Sequence, residues 1–444
     1  MQLAENDDDD LDITVRRYVE VTSCPGFTDG ELRRFQLPEG FPFLVNRRSG
    51  QIVEPVFRYL YDRVRGYAWG QKRLISLGSA AAAADNLRLW FGYLNYRGKQ
   101  WNVVTALDIR AYADGLARLV SPRTGEFLAE GTIAQRRTHV VEFYRWANAR
   151  GEVRIDARNL ASVEASAGGS PAAPQPRGFT YEEWGRLRTS IGPLPSAPAY
   201  DPCTPEKAPC RDRLMCELAV HTGMRRHEIC ALTVYQIRAL EAKLPPEAAG
   251  QEFSAKGLWL TVVKGGPRRA RDAIVPVWLI RELLLYADGS ERSRAAQVCA
   301  RKNRGREPAE LFLNHAWARH NPGKPFSAKR LTARFAELLV HAGFVERPNP
   351  SGTSVEKVSA TERPTHSVHD LRHTAAVWRY MVERENGNPD PWKPVQVMLG
   401  HAHKETTIKI YLQITNTFEA EVSDRALRFF RGIAEAAPYN QVIS

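Results

Sequence analysis

Six polar residues spread along the second half of this sequence make up a set of groups that could attack a phosphodiester. Arg225 lies in HTGMRRHEICAL and Lys264 in LTVVKGGPRRARDAIVPV. His369 and Arg372 share HSVHDLRHTAA, His401 lies in MLGHAHKETT, and Tyr411 follows in IKIYLQI. A guanidinium stays charged and presents a planar fork of donors, so two arginines suit the non-bridging oxygens of a phosphate. Arg225 and Arg372 are the candidates to neutralise charge that develops in a pentacoordinate transition state. Lys264, flanked by glycines at a turn, can give a leaving 5′-oxygen its proton. His369 stands three residues before Arg372, so the two share one helix face. It can accept a phenolic proton or bond the phosphate, and His401 can add a hydrogen bond. Tyr411 is then the nucleophile. A phosphotyrosyl ester would conserve the energy of the broken bond, so rejoining would need neither nucleotide nor metal.

Each residue taken alone has a plainer reading. An arginine after a turn is usually a surface cation, and a glycine-flanked lysine is usually a solvated turn. A tyrosine between Ile410 and Leu412 is usually core or interface. His373 reads as a structural neighbour of the set. The joint occurrence, in order, is what favours the chemical reading.

These residues need helices and one hairpin to hold them. GLWLTVVKGGPRRARDAIVPV has two β-rich arms around a Gly-Gly turn and reads as a hairpin. WLIRELLLYADG, SAKRLTARFAELLVHAG, HSVHDLRHTAAVWRYMVERE, KPVQVMLG and VSDRALRFFRGIAEA read as helices, as do YEEWGRLRTSI and RDRLMCELAVHTG before them. The stretch from 280 to 325 is less legible and could hold an insertion. Upstream, 54 to 160 reads as four short helices. One carries Leu60, Val64 and Tyr67; the next carries Leu87, Trp90, Phe91 and Leu94. The third is capped by Thr105 with Asp108 at its third position. The last buries Ile133, Val140, Phe143 and Tyr144 and stops at Gly151. Arg136 and Arg137 are expected on its outer face.

SVEASAGGSPAAPQPRG cannot bury enough apolar surface to order itself and reads as a linker. The expected organisation is an N-terminal extension over 1–53, partly disordered with an acidic tail at Asp7 to Asp10, and a helical domain over 54–160. A linker over 161–178, a catalytic domain over 179–436 and a tail over 437–444 follow. Phe35 to Val53 could form a short hairpin or an extended arm. The fold class is mainly α with a small β-sheet (α+β).

The 444 residues exceed one ordinary domain. Basic side chains number 62 against 50 acidic ones, a net charge of +12, and the isoelectric point is near 9.5. That balance suggests a polyanionic partner, most often nucleic acid. No apolar run approaches the roughly 18 residues of a membrane span. The start, MQLAENDDDD, is not a signal peptide. The six cysteines show no tight paired spacing, which fits reduced thiols and a cytoplasmic, nucleoid-associated setting.

The motifs resemble those of the tyrosine recombinase (phage integrase) family. GMRRHE resembles its Gly-x-Arg-x-x-Glu box, which implies Arg225 as first catalytic arginine and Glu228 as its supporting carboxylate. The hairpin puts Lys264 in the place of the catalytic lysine. HDLRHTAA is similar to the His-x-x-Arg box (His369, Arg372), and MLGHAHKETTIKIY to the Leu-Gly-His box with its tyrosine (His401, Tyr411). The spacing from His401 to Tyr411 is one residue longer than in many members. The resemblance covers about 54 to 425. It implies a helical core-binding domain, a recombinase catalytic domain, and 3′-phosphotyrosyl chemistry without cofactor or metal. The implied partner is double-stranded DNA with specific recombination sites, bound by two protomers per core site and four in the synaptic complex, with accessory proteins allowed and no membrane. Arg136, Arg137, Arg268, Arg269, Lys329 and Arg330 are candidate DNA contacts. Three alternatives stay open. One is a non-catalytic DNA-binding protein on this scaffold, and another a type IB topoisomerase. The third is a zinc hydrolase using His369 and His373 at i and i+4, against which Asp370 stands where a general-base Glu is usual and Arg372 adds a cation.

Overall fold

The computed structural model describes residues 12–18, 37–65, 74–121, 127–165, 177–197, 209–246, 254–260, 270–346, 363–401 and 408. The chain divides into two compact units, Met1–Ala173 and Pro174–Ser444. Several expectations fall outside the described residues: Lys264, Arg268, Arg269, Tyr411, the acidic start, the helix VSDRALRFFRGIAEA and the 437–444 tail.

In the first unit, strands β1 (Ile13–Arg17) and β2 (Pro42–Asn46) pair antiparallel. Helices α1 (Glu54–Arg65), α2 (Leu77–Tyr96), α3 (Ala106–Ala117), α4 (Glu130–Ala149) and α5 (Ala157–Ala165) follow. Alternation in the strands sends Ile13 and Leu44 into the same core as Trp90, Phe143, Tyr144 and Trp146. The hairpin is therefore part of this unit's core. Asp108 accepts from the backbone N–H of Thr105 at 2.7 Å, which closes the first turn of α3. The indole of Trp90 donates to the Tyr144 hydroxyl at 3.2 Å, and that hydroxyl donates to the Trp101 carbonyl at 3.0 Å, so the buried polar tips of these rings are satisfied.

Two expectations are corrected here. Arg136 and Arg137 are not on an outer face; both are buried. Helix α4 is covered over more than one face, by α2, α3 and α5, and both arginines fall on the covered arc. Residues 161–165, read as linker, are the end of α5, because Leu160 and Val163 recur at helical spacing and bury themselves in the core.

The second unit contains α6 (Tyr181–Ser190), α7 (Pro209–Thr222), α8 (Arg226–Cys230), α9 (Val234–Glu241), β3 (Ala255–Trp259) and β4 (Asp272–Pro276). It continues with α10 (Val277–Asp288), α11 (Ser290–Lys302), α12 (Ala328–His341), β5 (Val345–Glu346), β6 (Arg363–Pro364), α13 (Val368–Glu385) and α14 (Trp392–Leu399). The class is mainly α, but the β content among the described residues is three two-stranded antiparallel pairs rather than one sheet. The expected hairpin is β3 paired with β4, Ala255 opposite Pro276 and Trp259 opposite Asp272. The 280–325 stretch includes α11.

Helix α7 is central. It is buried nearly all round and packs on α13, α10 and β4. So deep a helix cannot leave charges unpaired. Glu217, fully buried, accepts from Arg188 Nε at 2.9 Å and from Arg213 Nε at 2.7 Å, with His221 Nε2 at 3.1 Å. Burial alone would raise its pKa, but Arg213 and Arg188 hold the carboxyl well below the usual range. Glu217→Ala is expected to cost about 3–5 kcal/mol in chemical denaturation, because it strands buried guanidinium groups. A loss under about 1 kcal/mol would mean that the network is solvated.

Candidate active site

The site forms where helix ends meet. Helix α7 stops at Thr222, and Gly223 turns the chain at φ +62°, a left-handed conformation that glycine adopts without strain. A Cβ there would meet Leu399 Cδ2 at 3.1 Å, so the turn is also closely packed on the end of α14. Arg225 then becomes the N-cap residue of the one-turn helix α8. Glu228, at the third position of that turn, reaches back to accept from the Arg225 backbone N–H at 2.8 Å and from its Nη1 at 3.1 Å. Arg225 is thus fixed at both main chain and side chain. The Glu228 carboxylate is fully buried.

Helix α13 begins at the Ser367 cap, where Asp370 accepts from the Ser367 N–H at 2.7 Å. Its first turns carry His369, exposed, and then Arg372 and His373, buried. Arg372 donates from Nη1 to the Gly223 carbonyl and from Nη2 to the Leu399 carbonyl at 2.6 Å. It therefore ties together the C-terminal ends of α7 and α14, where helix carbonyls lack partners and the dipole favours a cation. The Leu-Gly-His segment ends α14, with Gly400 at φ +62°. His401 follows, its Nε2 3.4 Å from Arg372 Nη2. A guanidinium only donates, so Nε2 is the acceptor and the ring proton sits on Nδ1.

The second arm of the hairpin adds a residue that the motifs do not name. Arg271, just before β4, donates from Nη2 to Glu228 Oε2 at 2.9 Å, and its Nε and Cδ lie where a Cβ on Gly400 would be 2.6 and 2.7 Å away. Around one buried carboxylate the structure thus gathers Arg225 and Arg271, with Arg372 and two histidines beside them. Burial lowers the His401 pKa to about 4, aided by Arg372, Arg225, Arg271 and His369. Burial likewise lowers His373 to about 3, aided by His369, Arg372 and His401. The rings of His369 and His373 meet edge-to-face at 4.6 Å. Among the described residues no group of three His, Cys, Asp or Glu side chains is placed to hold a metal ion.

Arg225, Glu228, His369, Arg372 and His401 come together. Lys329 and Arg330 sit in the first turn of α12, both exposed, with Arg330 paired to Glu337 at 2.5 Å. Arg330 also lines a cavity of about 600 Å³ with Arg211, Trp317 and His320. Arg271 went unread because a basic residue on a strand arm has no sequence signal to separate it from its neighbours Arg268 and Arg269.

No family profile matches the sequence. The chain is 27% identical over 352 residues to the tyrosine recombinase XerC of Mycobacterium bovis (strain BCG / Pasteur 1173P2), which spans 79% of this chain and 93% of the relative. The tyrosine recombinase XerC of Mycobacterium tuberculosis (strain ATCC 25177 / H37Ra) gives the same figures. A crystal structure of the XerH site-specific recombinase, bound to a palindromic difH substrate in a post-cleavage complex, covers 83% of this chain and 93% of its own. The identity is 14% and the TM-score 0.50, a likeness of fold. The likeness is to the tyrosine recombinase/integrase family. In that family's terms, the first arginine box falls at the junction of α7 and α8. The His-x-x-Arg box falls on the first turns of α13, and the Leu-Gly-His box at the end of α14.

Two outcomes test this geometry. Both depressed histidines have folded values below the ordinary 6.5, so between about 4 and 6.5 the unfolded chain binds more protons than the folded one. Stability is then full above 6.5 and falls as the pH drops through that window. In an NMR titration of ring signals His401 and His373 should remain neutral at pH 6; midpoints near 6.5 would show the cluster to be solvated. Gly400→Ala should lower stability by about 1–2 kcal/mol through its left-handed backbone and displace Arg271. An unchanged melting temperature would contradict the close approach.

Proposed function

We propose that this chain is a site-specific tyrosine recombinase that cleaves and rejoins strands of double-stranded DNA through a 3′-phosphotyrosyl intermediate, without metal or ATP. The observation that carries the reading is the convergence of three separate motifs on one spot: Arg225 beside Glu228, His369 with Arg372, and His401. Arg225 and Arg372 neutralise the non-bridging oxygens as charge develops on the phosphate. Tyr411 forms the new O–P bond, its proton passing to His369, while the P–O5′ bond breaks and Lys264 protonates the leaving oxygen. A 5′-hydroxyl reverses the step and joins the strands. His401, neutral at pH 7, supports the phosphate by hydrogen bonding without adding a charge that must be desolvated.

The positive balance of the chain supports a polyanionic partner. The XerC relatives bear the name tyrosine recombinase, and the XerH complex holds a palindromic difH substrate. A palindrome mirrors a two-fold protein arrangement, which supports two protomers per core site, and the family resemblance implies four in the synaptic complex. Arg268, Arg269, Lys329 and Arg330 are proposed DNA contacts, and a linker that starts after α5, over 166–178, is proposed to lead into the catalytic domain.

The test is a suicide-substrate assay. Purified protein is mixed in EDTA with nicked DNA from the flanks of its own gene and run on a denaturing gel. A covalent band that vanishes in Tyr411→Phe is expected. A band that survives in that variant would remove Tyr411 from the role, and relaxation of DNA without sequence preference would favour a topoisomerase. Arg225→Ala should lower cleavage by ~10²- to 10³-fold or more. Arg372→Ala should lose cleavage and also stability, because two buried carbonyls lose their donor at about 1–3 kcal/mol each.

A further inference from the structure

Arg271 belongs to none of the motif boxes, yet it meets two of them, at Glu228 and at Gly400. Its side chain is 12% exposed and shares the two oxygens of Glu228 with Arg225. Its Nη2 is engaged there at 2.9 Å. Its Nη1 is buried with no hydrogen-bond partner among the described residues. A donor-only group that is buried and unpaired is uncommon in a folded protein, and where it occurs it marks a place for an acceptor. The surrounding charge says which kind. Arg225, Arg271 and Arg372 are all close enough to His401 to depress its protonation, and Glu228 is the carboxylate that pairs with two of them. Positive charge therefore exceeds negative charge within this cluster. An oxyanion with several acceptor atoms meets both needs, and phosphate matches the guanidinium fork.

We propose that Arg271 is a third phosphate-directed guanidinium. Nη2 fixes Glu228, and through it the orientation of Arg225, while Nη1 donates to the phosphate that Arg225 and Arg372 receive. Gly400 is the residue that lets this side chain lie across the end of α14, since a Cβ there would occupy the space of its Nε and Cδ. The inference rests on the reading of this cluster as a phosphodiester site and adds to it a group from the hairpin. Arg271 thereby couples the arm that leads to Lys264 with the carboxylate under Arg225.

Inorganic phosphate titrated into the full chain, followed by the His401 ring signals in NMR, tests this without DNA. The wild-type protein should bind, and Arg271→Gln should bind about tenfold more weakly, the loss of one charge-assisted hydrogen bond. Arg271→Lys keeps the charge and the Glu228 contact but not the fork, and should fall between the two. Affinity in Arg271→Gln within twofold of wild type would overturn the proposal and leave Arg271 as a strut for Glu228. If the Gln variant fails to fold, the Lys variant decides, wild-type affinity again overturning it. Suicide-substrate cleavage run in parallel separates this inference from the functional reading. Weakened phosphate binding with no covalent DNA adduct in wild type would sink the recombinase reading and keep the anion site. Normal phosphate affinity and normal cleavage in Arg271→Gln would do the reverse.

Discussion

The candidate site depends on one buried guanidinium. Arg372 sits in the interior of its unit and donates to the carbonyls of Gly223 and Leu399, the last backbone groups of two different helices. Without a donor those carbonyls would be buried and unpaired, and neither helix end would have reason to stay beside the other. With it, Arg225 one turn past α7 and His401 two residues past α14 are held on either side of the same side chain. A lysine, with its single ammonium, could not span two carbonyls and a histidine in a plane.

Electrostatics is the second constraint. Like charges gathered in a desolvated place repel, and the structure answers with a single carboxylate that two arginines share and with histidines kept neutral. The imidazoles contribute hydrogen bonding without adding to the repulsion. A cluster balanced in this way keeps a net positive charge, which is what the proposed phosphodiester site would need in an electrostatic catalyst organised before its substrate arrives.

Rigidity around the cluster comes from α7. Its polar residues are neutralised in place, Glu217 by Arg188 and Arg213 and Asp212 by Arg211 and Arg334, so the helix can be buried on all sides and still carry charges. In the first unit the Trp90 indole, the Tyr144 hydroxyl and the Trp101 carbonyl meet the same demand by bonding in sequence.

The sequence by itself determined the chemically able residues and most of the helices. Apolar spacing set α2, α4, α12 and α13, turn and cap residues bounded α3 and the end of α4, and the motif boxes named Arg225, Glu228, His369, Arg372 and His401. These are local properties, written within a few residues of where they act. Tertiary structure decided what no local pattern encodes. It buried Arg136 and Arg137, because the covered arc of α4 depends on which helices surround it. It drew β1 and β2 into the first core and carried α5 into a stretch whose composition reads as linker, since Leu160 and Val163 matter only when there is a surface to cover. It also brought Arg271 onto Glu228 and Gly400. That meeting joins a strand arm, a one-turn helix and a helix end far apart in sequence, and only the packing of all three fixes the distance between them.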